Sequence, residues 1–294
     1  MQIDNLLQIE NWKLKIRMEE KMLVSSKEII QKAYDGGYAV GAFNISNLET
    51  LKAVIQAAEA KQSPVILATT ETIISYAGLP YIFSLMKTAA EVASIPIAIH
   101  LDHGKSVETV RKCVDLGYTS VMIDGSSLAL LQNIELTKQA AEIAHAKNVP
   151  IEGEIGELLE DKSKMADPIE AKEFVTQTSI DFLAPSVGTS HGLNANEKVD
   201  LELLQRIKEQ VNIPLVLHGA SGVGEDDVRK AIKLGISKIN IHTELRLAFI
   251  DGMKEGLAQN PNTDDHRVIL KVCIEKMQHV VEEKIDLFGS SGKI

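Results

Sequence analysis

From Ser25 onward the chain alternates between two hydrophobic rhythms. Short β-branched or apolar runs give way to polar turns, and these to longer stretches with apolar positions three and four residues apart. The runs predict strands near residues 39–45, 64–69, 95–102, 119–124, 149–155, 180–187, 213–218 and 238–242. The longer stretches predict helices near 47–61, 80–93, 106–116, 130–147, 168–178, 200–210, 224–234 and 244–258. Ser25 with Glu28 forms a capping-box pattern that opens a leading helix through Tyr34. A further helical stretch runs from about Asp265 to Leu287.

Strands that alternate with helices build a parallel sheet with helical crossovers. Eight such units in about 250 residues match a closed (β/α)8 barrel in count and size. The expected class is therefore α/β: a TIM barrel with an N-terminal helix and extra C-terminal helices. An open doubly wound sheet would want a glycine-rich loop after its first strand. Here that strand ends Phe43-Asn44-Ile45-Ser46-Asn47 instead. Residues 23–294 read as one barrel domain. Residues 1–22 differ in composition and read as an N-terminal extension: a short accessory helix, or an over-long start with Met22 as the natural first residue, ahead of a functional amphipathic segment.

Closure has a chemical consequence, because the C-terminal ends of all eight strands then face one mouth. His103, His191 and His218 close the third, sixth and seventh predicted strands. His191 and His218 run straight into a glycine, and Asp102 directly precedes His103. Taken singly, a strand-end histidine is more often one that hydrogen-bonds to backbone. Three at one mouth are the usual donor set of a catalytic zinc, with a fourth position left open. Asp124, Glu154, Asn240 and Thr243 also fall at or near strand ends. His145, His266 and His279 lie in helical stretches and receive no role.

Asp102 reads either as a turn-stabilising carboxylate or as a general base beside the metal. Strand alternation should send it and His103 to opposite faces, so both serve one site only where the strand twists or bulges. Glu152 and Glu154 share one face of the fifth strand and would repel each other unless a cation or proton lies between them. They read equally as an outer layer of the metal site and as a polar layer of the barrel. Gly219-Ala220-Ser221-Gly222 alone would be a turn. After the seventh strand of a barrel, it is placed to offer backbone N–H groups to a phosphate.

Composition narrows the partners. A formal charge of −10 argues against general affinity for nucleic acid or acidic membrane, so an anionic substrate must be held by local donors. Cys113 and Cys273 sit in helix-like stretches without a partner motif and read as reduced, buried residues of a cytoplasmic protein. No apolar run approaches a membrane span, and the start lacks the apolar core of a signal peptide.

The chain resembles a known family through Gly41–Ile45, His100–Gly104, Met122–Ser126, Glu152–Gly156, Gly188–Gly192, Leu215–Ser221 and Lys238–Glu244, with a familial ending at Phe288–Lys293. These stretches, in order from about Met22, are similar to the metal-dependent class II ketose-bisphosphate aldolases of the fructose- and tagatose-bisphosphate branch. The resemblance implies reversible cleavage of a ketose 1,6-bisphosphate, with fructose 1,6-bisphosphate as the first expectation and tagatose 1,6-bisphosphate or another sugar phosphate as alternatives. It implies Zn2+ on His103, His191 and His218, and a monovalent cation (Na+ or K+). Asp102 would be the acid/base partner of the C4 hydroxyl and Glu160 the mobile-loop proton donor. Asn44, Gly192, Gly219, Ser221, Asn240 and Thr243 would contact substrate, and Asp124 and Glu154 would stand behind the metal or form an alternate site. Arg267 would reach the distal phosphate from a neighbouring subunit of a homodimer or homotetramer.

Three stretches depart from the family pattern. Gly156–Asp161 is short and lacks paired glycines, Leu193–Glu197 replaces a longer loop with lysine or tyrosine, and His242 stands where a small or acidic residue is usual. Three rivals remain. A Schiff-base aldolase needs a barrel lysine near a strand end, and Lys105 and Lys238 look badly placed for that. A barrel metallohydrolase would carry a His-x-His pair on the first strand. A non-catalytic sugar-phosphate sensor would keep the site and lose turnover.

Overall fold

The computed structural model describes residues 22–157, 165–190, 192 and 198–294. His191, Glu160 and residues 1–21 therefore lie outside the described residues, as do residues 193–197. Eight parallel strands close on themselves in chain order, with β1 (Val40–Asn44) pairing with both β2 (Val65–Thr70) and β8 (Ile236–Ile241). Between them run β3 (Ile97–Gly104), β4 (Ser120–Ile123), β5 (Ile151–Ile155), β6 (Phe182–Pro185) and β7 (Leu215–Leu217). The (β/α)8 expectation holds.

The leading helix α1 (Ser26–Gly36) starts on Ser25, whose side chain accepts from the Lys27 amide. Ile29, Ile30 and Ala33 of α1 pack with Val40, Ala42, Ile66, Ala98, Phe182 and Val216, so α1 plugs the N-terminal end of the barrel. Helix α2 (Leu48–Ala60) follows β1 and is capped by Asn47. Two helices follow β2, α3 (Glu71–Ala77) and α4 (Leu79–Val92). The sequence predicted only the second. Seven residues are too few to show a 3.6-residue period, and α3 begins on Thr70, whose side chain accepts from the Ile73 amide.

Helices α5 (Val107–Leu116), α6 (Leu130–His145), α7 (Pro168–Thr178), α8 (Leu201–Gln210) and α9 (Glu225–Lys233) cover the strands in turn. Each lies within a few residues of its predicted span. α10 (Thr243–Gln259) and α11 (His266–Phe288) complete the chain, and the chain after β8 seals against β1 through a hydrogen bond from the Ala39 amide to the Phe288 carbonyl. Cys113 and Cys273 are buried and free. Among the described residues no helix is long and apolar enough to cross a membrane.

Strand alternation sorts the barrel interior into layers. Register pairs Ala42 with Ile66 and Asn240, His100 with Ser120, Met122 with Glu152, Glu152 with Phe182, and Val216 with Lys238. The lowest layer is apolar and rests on α1. Above it His100, Glu152 and Lys238 form a fully buried polar layer. Two residues further along their strands stand Asp102, Glu154 and Asn240, at the mouth.

Candidate metal centre and active site

Two of the three strand-end histidines fall within the described residues, and the fold brings them together. The rings of His103 and His218 lie edge to face with centroids 4.6 Å apart. His103 Nδ1 is 2.9 Å from Asp124 Oδ2 and 3.5 Å from Glu154 Oε2. His218 Nδ1 is 3.3 Å from the same Glu154 oxygen, and its Nε2 is 2.8 Å from Glu152 Oε1. Asp102, His103 and His218 could each present a ligand atom within 4.8 Å of the others, and so could His103, Asp124 and Glu154.

The alternation problem at Asp102 and His103 is solved by backbone geometry. The pairing of β3 with β4 shifts register between Leu101 and Gly104, and His103 takes a φ of +48°. That left-handed conformation is uncommon for a residue with a Cβ and costs free energy. It turns the His103 ring back to the mouth, where Asp102 already points.

Asp102 is buried and clamped from both sides. The Asn44 amide donates to its Oδ2 at 2.9 Å and the Asn240 amide to its Oδ1 at 2.7 Å. With Nδ2 so committed, the Oδ1 atoms of Asn44 and Asn240 are left buried without a hydrogen-bond partner. Unpaired buried acceptors are expensive and rare, so two beside one carboxylate imply donors that arrive with a ligand.

The buried groups set one another's charges. Burial would lift Asp102, yet the imidazoles of His103 and His218 and the Lys238 ammonium hold it well below the ordinary carboxylate range. Glu152 behaves alike, with burial outweighed by Lys238 and His218, and Asp124 is held down by His103 and Lys105 against its burial. Burial also opposes charge on His218, but Glu152 and Glu154 prevail and raise it to about 10. A proton forced onto a buried imidazole by two carboxylates stands where a divalent ion would satisfy the same groups. His218 Nδ1 and Glu154 Oε2, both buried and lacking a hydrogen-bond partner, are the atoms such an ion would take. The donor set fits a divalent metal.

Lys238 corrects the sequence-based placement. It does not open β8 at the wrong end. It sits mid-strand inside the barrel, its Nζ 2.8 Å from Glu152 Oε2, so that Lys238, Glu152 and His218 form one buried chain. The ammonium is committed there. Lys105, the lysine that lines the mouth, is paired with Asp124. Neither is poised for Schiff-base chemistry. His100, another residue the sequence reading passed over, is bonded through Nδ1 to Ser120 Oγ at 2.7 Å, and burial reinforced by Lys238 lowers it to about 3. The signal for both was legible: polar residues at alternate inward positions of an otherwise apolar strand.

The mouth is a cavity of about 960 Å³ that also includes Gly192, Gly219, Ser221, Asn240 and Thr243 in its lining. Gly219 has a φ of +62°, and a Cβ there would lie 2.4 Å from the Ser190 carbonyl oxygen, so only glycine lets the two strand ends approach. The Thr189 hydroxyl donates to the His218 carbonyl at 2.8 Å across the same junction. α10 begins at Thr243 with no side-chain cap. Arg267, at the start of α11, is 81% exposed, pairs with Asp265, and does not line the mouth.

A family model described as class II fructose-bisphosphate aldolase matches residues 24–293. Among solved structures, the YdjI aldolase from Escherichia coli K12 is similar at 35% identity and a TM-score of 0.85, over 92% of this chain and 99% of that one. A protein from Coccidioides immitis assigned as a fructose-1,6-biphosphate aldolase shares 29% identity, with 90% and 96% of the chains covered and a TM-score of 0.83. The fructose-bisphosphate aldolase Fba from Campylobacter jejuni, at 24% identity, covers 92% of this chain and 97% of its own with a TM-score of 0.78, a likeness of fold.

Proposed function

The chain belongs to the class II fructose-bisphosphate aldolase family, and from that premise we propose that it cleaves a ketose 1,6-bisphosphate, in the first place fructose 1,6-bisphosphate, reversibly to dihydroxyacetone phosphate and glyceraldehyde 3-phosphate. The observation that carries this reading is the arrangement at the mouth: an ionised, amide-clamped Asp102 beside a buried imidazole nitrogen, His218 Nδ1, and a buried carboxylate oxygen, Glu154 Oε2, that lack hydrogen-bond partners.

His103, His191 and His218 are proposed to hold zinc. The close contact of Ser190 with Gly219 supports a place for the next residue in the same set. Bound there, the metal supplies Lewis-acid polarisation of the substrate carbonyl. The protein's own groups do the rest. Asp102, kept ionised, takes the proton of the C4 hydroxyl as the C3–C4 bond breaks and C4 becomes an aldehyde. Asn44 and Asn240 fix the direction of that carboxylate and offer their spare Oδ1 atoms to substrate hydroxyls. Gly192, Gly219, Ser221 and Thr243 cradle the triose phosphate at the β7 and β8 ends, a position where barrels commonly hold phosphate. Glu160 is the proposed donor of the proton that C3 receives. Arg267 is proposed to serve a neighbouring protomer.

Glu152 is a positioning residue in this account, because it fixes the His218 ring through Nε2 and leaves Nδ1 for the metal. Glu152→Gln is expected to weaken zinc affinity by about 10- to 100-fold, read by competition with a chelating dye. Unchanged affinity would remove Glu152 from that role.

The test of function is a coupled assay of the zinc-loaded protein on fructose 1,6-bisphosphate and tagatose 1,6-bisphosphate. Triose phosphate release that stops on chelation and returns with metal is the expected result, and the faster substrate fixes the C4 configuration. Ligand and zinc binding with no triose phosphate formed would mark a sensor instead.

A further inference from the structure

The two described histidines at the mouth have the same construction behind them. His103 turns Nδ1 to Asp124 Oδ2 at 2.9 Å, and that same oxygen lies 2.5 Å from Lys105 Nζ. His218 turns Nε2 to Glu152 Oε1 at 2.8 Å, and the other oxygen of Glu152 lies 2.8 Å from Lys238 Nζ. Lysine, carboxylate and imidazole thus stand in series twice, once at the exposed rim and once inside the barrel. A carboxylate behind a ligating imidazole makes the ring more basic and tightens its hold on a metal. A cation on that carboxylate works against this, because it draws on the same negative charge.

Lys105 separates charge from orientation. Its backbone amide donates to Glu71 Oε1 at 2.8 Å, which fixes the root of the side chain beside the mouth. Asp124 is already aimed without it. Oδ1 accepts from the Ser126 amide at 3.1 Å and from the Ser126 hydroxyl at 2.7 Å, and Oδ2 faces the His103 ring. The lysine side chain is 60% exposed and has water within reach, yet its ammonium lies on a carboxylate that is 5% exposed. What it adds to a carboxylate held by Ser126 and His103 is charge. Lys238 is a poorer probe of the same effect, because it is half of the hold on Glu152 and its loss would strand that carboxylate in the interior.

We propose that Lys105 governs the charge that reaches the metal: acting through Asp124, it reduces what the His103 ring donates, so that zinc is held less tightly and is left a stronger Lewis acid. Lys238 is the buried counterpart behind His218. The proposal rests on the zinc reading of the mouth, and it gives a role to a residue that neither holds the metal nor is needed to aim Asp124.

The test pairs zinc affinity, read by competition with a chelating dye, with kcat of the zinc-loaded protein on its better ketose bisphosphate. Lys105→Met is expected to bind zinc about 3- to 10-fold more tightly, the weight of one partly screened charge. Its kcat is expected to fall by about 3- to 10-fold as the Lewis acid weakens. Damage to the fold would instead weaken zinc binding and turnover together. Lys105→Arg keeps the charge and should match the parent in both. Added to Asp124→Asn, Lys105→Met should change zinc affinity no further, since the carboxylate it acts through is gone. Zinc affinity in Lys105→Met that equals or falls below the parent's overturns the proposal. So does a second bound equivalent of zinc in that variant, which would make Asp124 a ligand, or a gain in affinity that persists beside Asp124→Asn. Tighter zinc with an unchanged kcat overturns the Lewis-acid half. A parent that forms no triose phosphate removes the aldolase reading, while the affinity measurements still decide whether Lys105 governs the metal.

Discussion

Asp102→Ala is expected to lower kcat for ketose-bisphosphate cleavage by about 10²- to 10⁴-fold, the usual worth of a positioned general base, while the protein keeps its full complement of zinc. Both halves of that outcome matter. Asp102 lies close enough to His103 and His218 to be counted as a ligand itself, so loss of activity alone would not separate the two roles. The hydrogen bonds favour the base. Both carboxylate oxygens are taken by amide donors, from Asn44 at 2.9 Å and Asn240 at 2.7 Å, an arrangement that orients a carboxylate and keeps it ionised. Truncation leaves the two amides facing a small void without disturbing the backbone turn at His103. Near-parental turnover in Asp102→Ala would take Asp102 out of the reaction. Metal loss in that variant would make it a ligand instead.

His103→Asn is expected to have the other large effect, loss of bound zinc and with it about 10³-fold or more of the rate, since Lewis-acid stabilisation is worth several kcal/mol. Asparagine is chosen because it tolerates the left-handed backbone that His103 adopts at φ +48°, so the β3 end should keep its shape. The parallel change at His218 is a poorer probe. It would strand Glu152 and Lys238 in the barrel interior with a broken chain of contacts, and the variant would suffer in stability as well as in metal binding. Metal analysis and circular dichroism of His103→Asn separate the outcomes. A folded variant with a full metal complement and parental activity would contradict the proposed ligand set.

Much of this architecture was legible because it rests on local patterns. The eight repeats of a short apolar run followed by an amphipathic stretch are individually weak, but their count and spacing leave little besides a closed barrel, and closure alone moves distant histidines to one mouth. Helix α3 escaped because seven residues after Thr70, about two turns, are too few to show a period. The Asp102–His103 pair showed why period-2 reasoning stops at strand ends, where one left-handed residue reverses a side chain's face. The links beneath the site were invisible for a different reason. Nothing local connects Lys238 to Glu152, or Asn44 and Asn240 to Asp102. These contacts span 58 to 138 residues and exist only once register is fixed. Their trace in the sequence was the inward, alternate-position placement of Glu152, Lys238 and Asn240, which a lysine in the midst of Ile236–Ile241 makes conspicuous.

The most direct measurement is X-ray diffraction from crystals of the zinc-loaded protein, recorded on both sides of the zinc absorption edge. The account predicts one strong anomalous peak at the barrel mouth, bonded to His103 and His218 with His191 as the third protein ligand and Asp102 outside the coordination sphere. A peak elsewhere, or none in a protein that still cleaves a ketose bisphosphate, would contradict it.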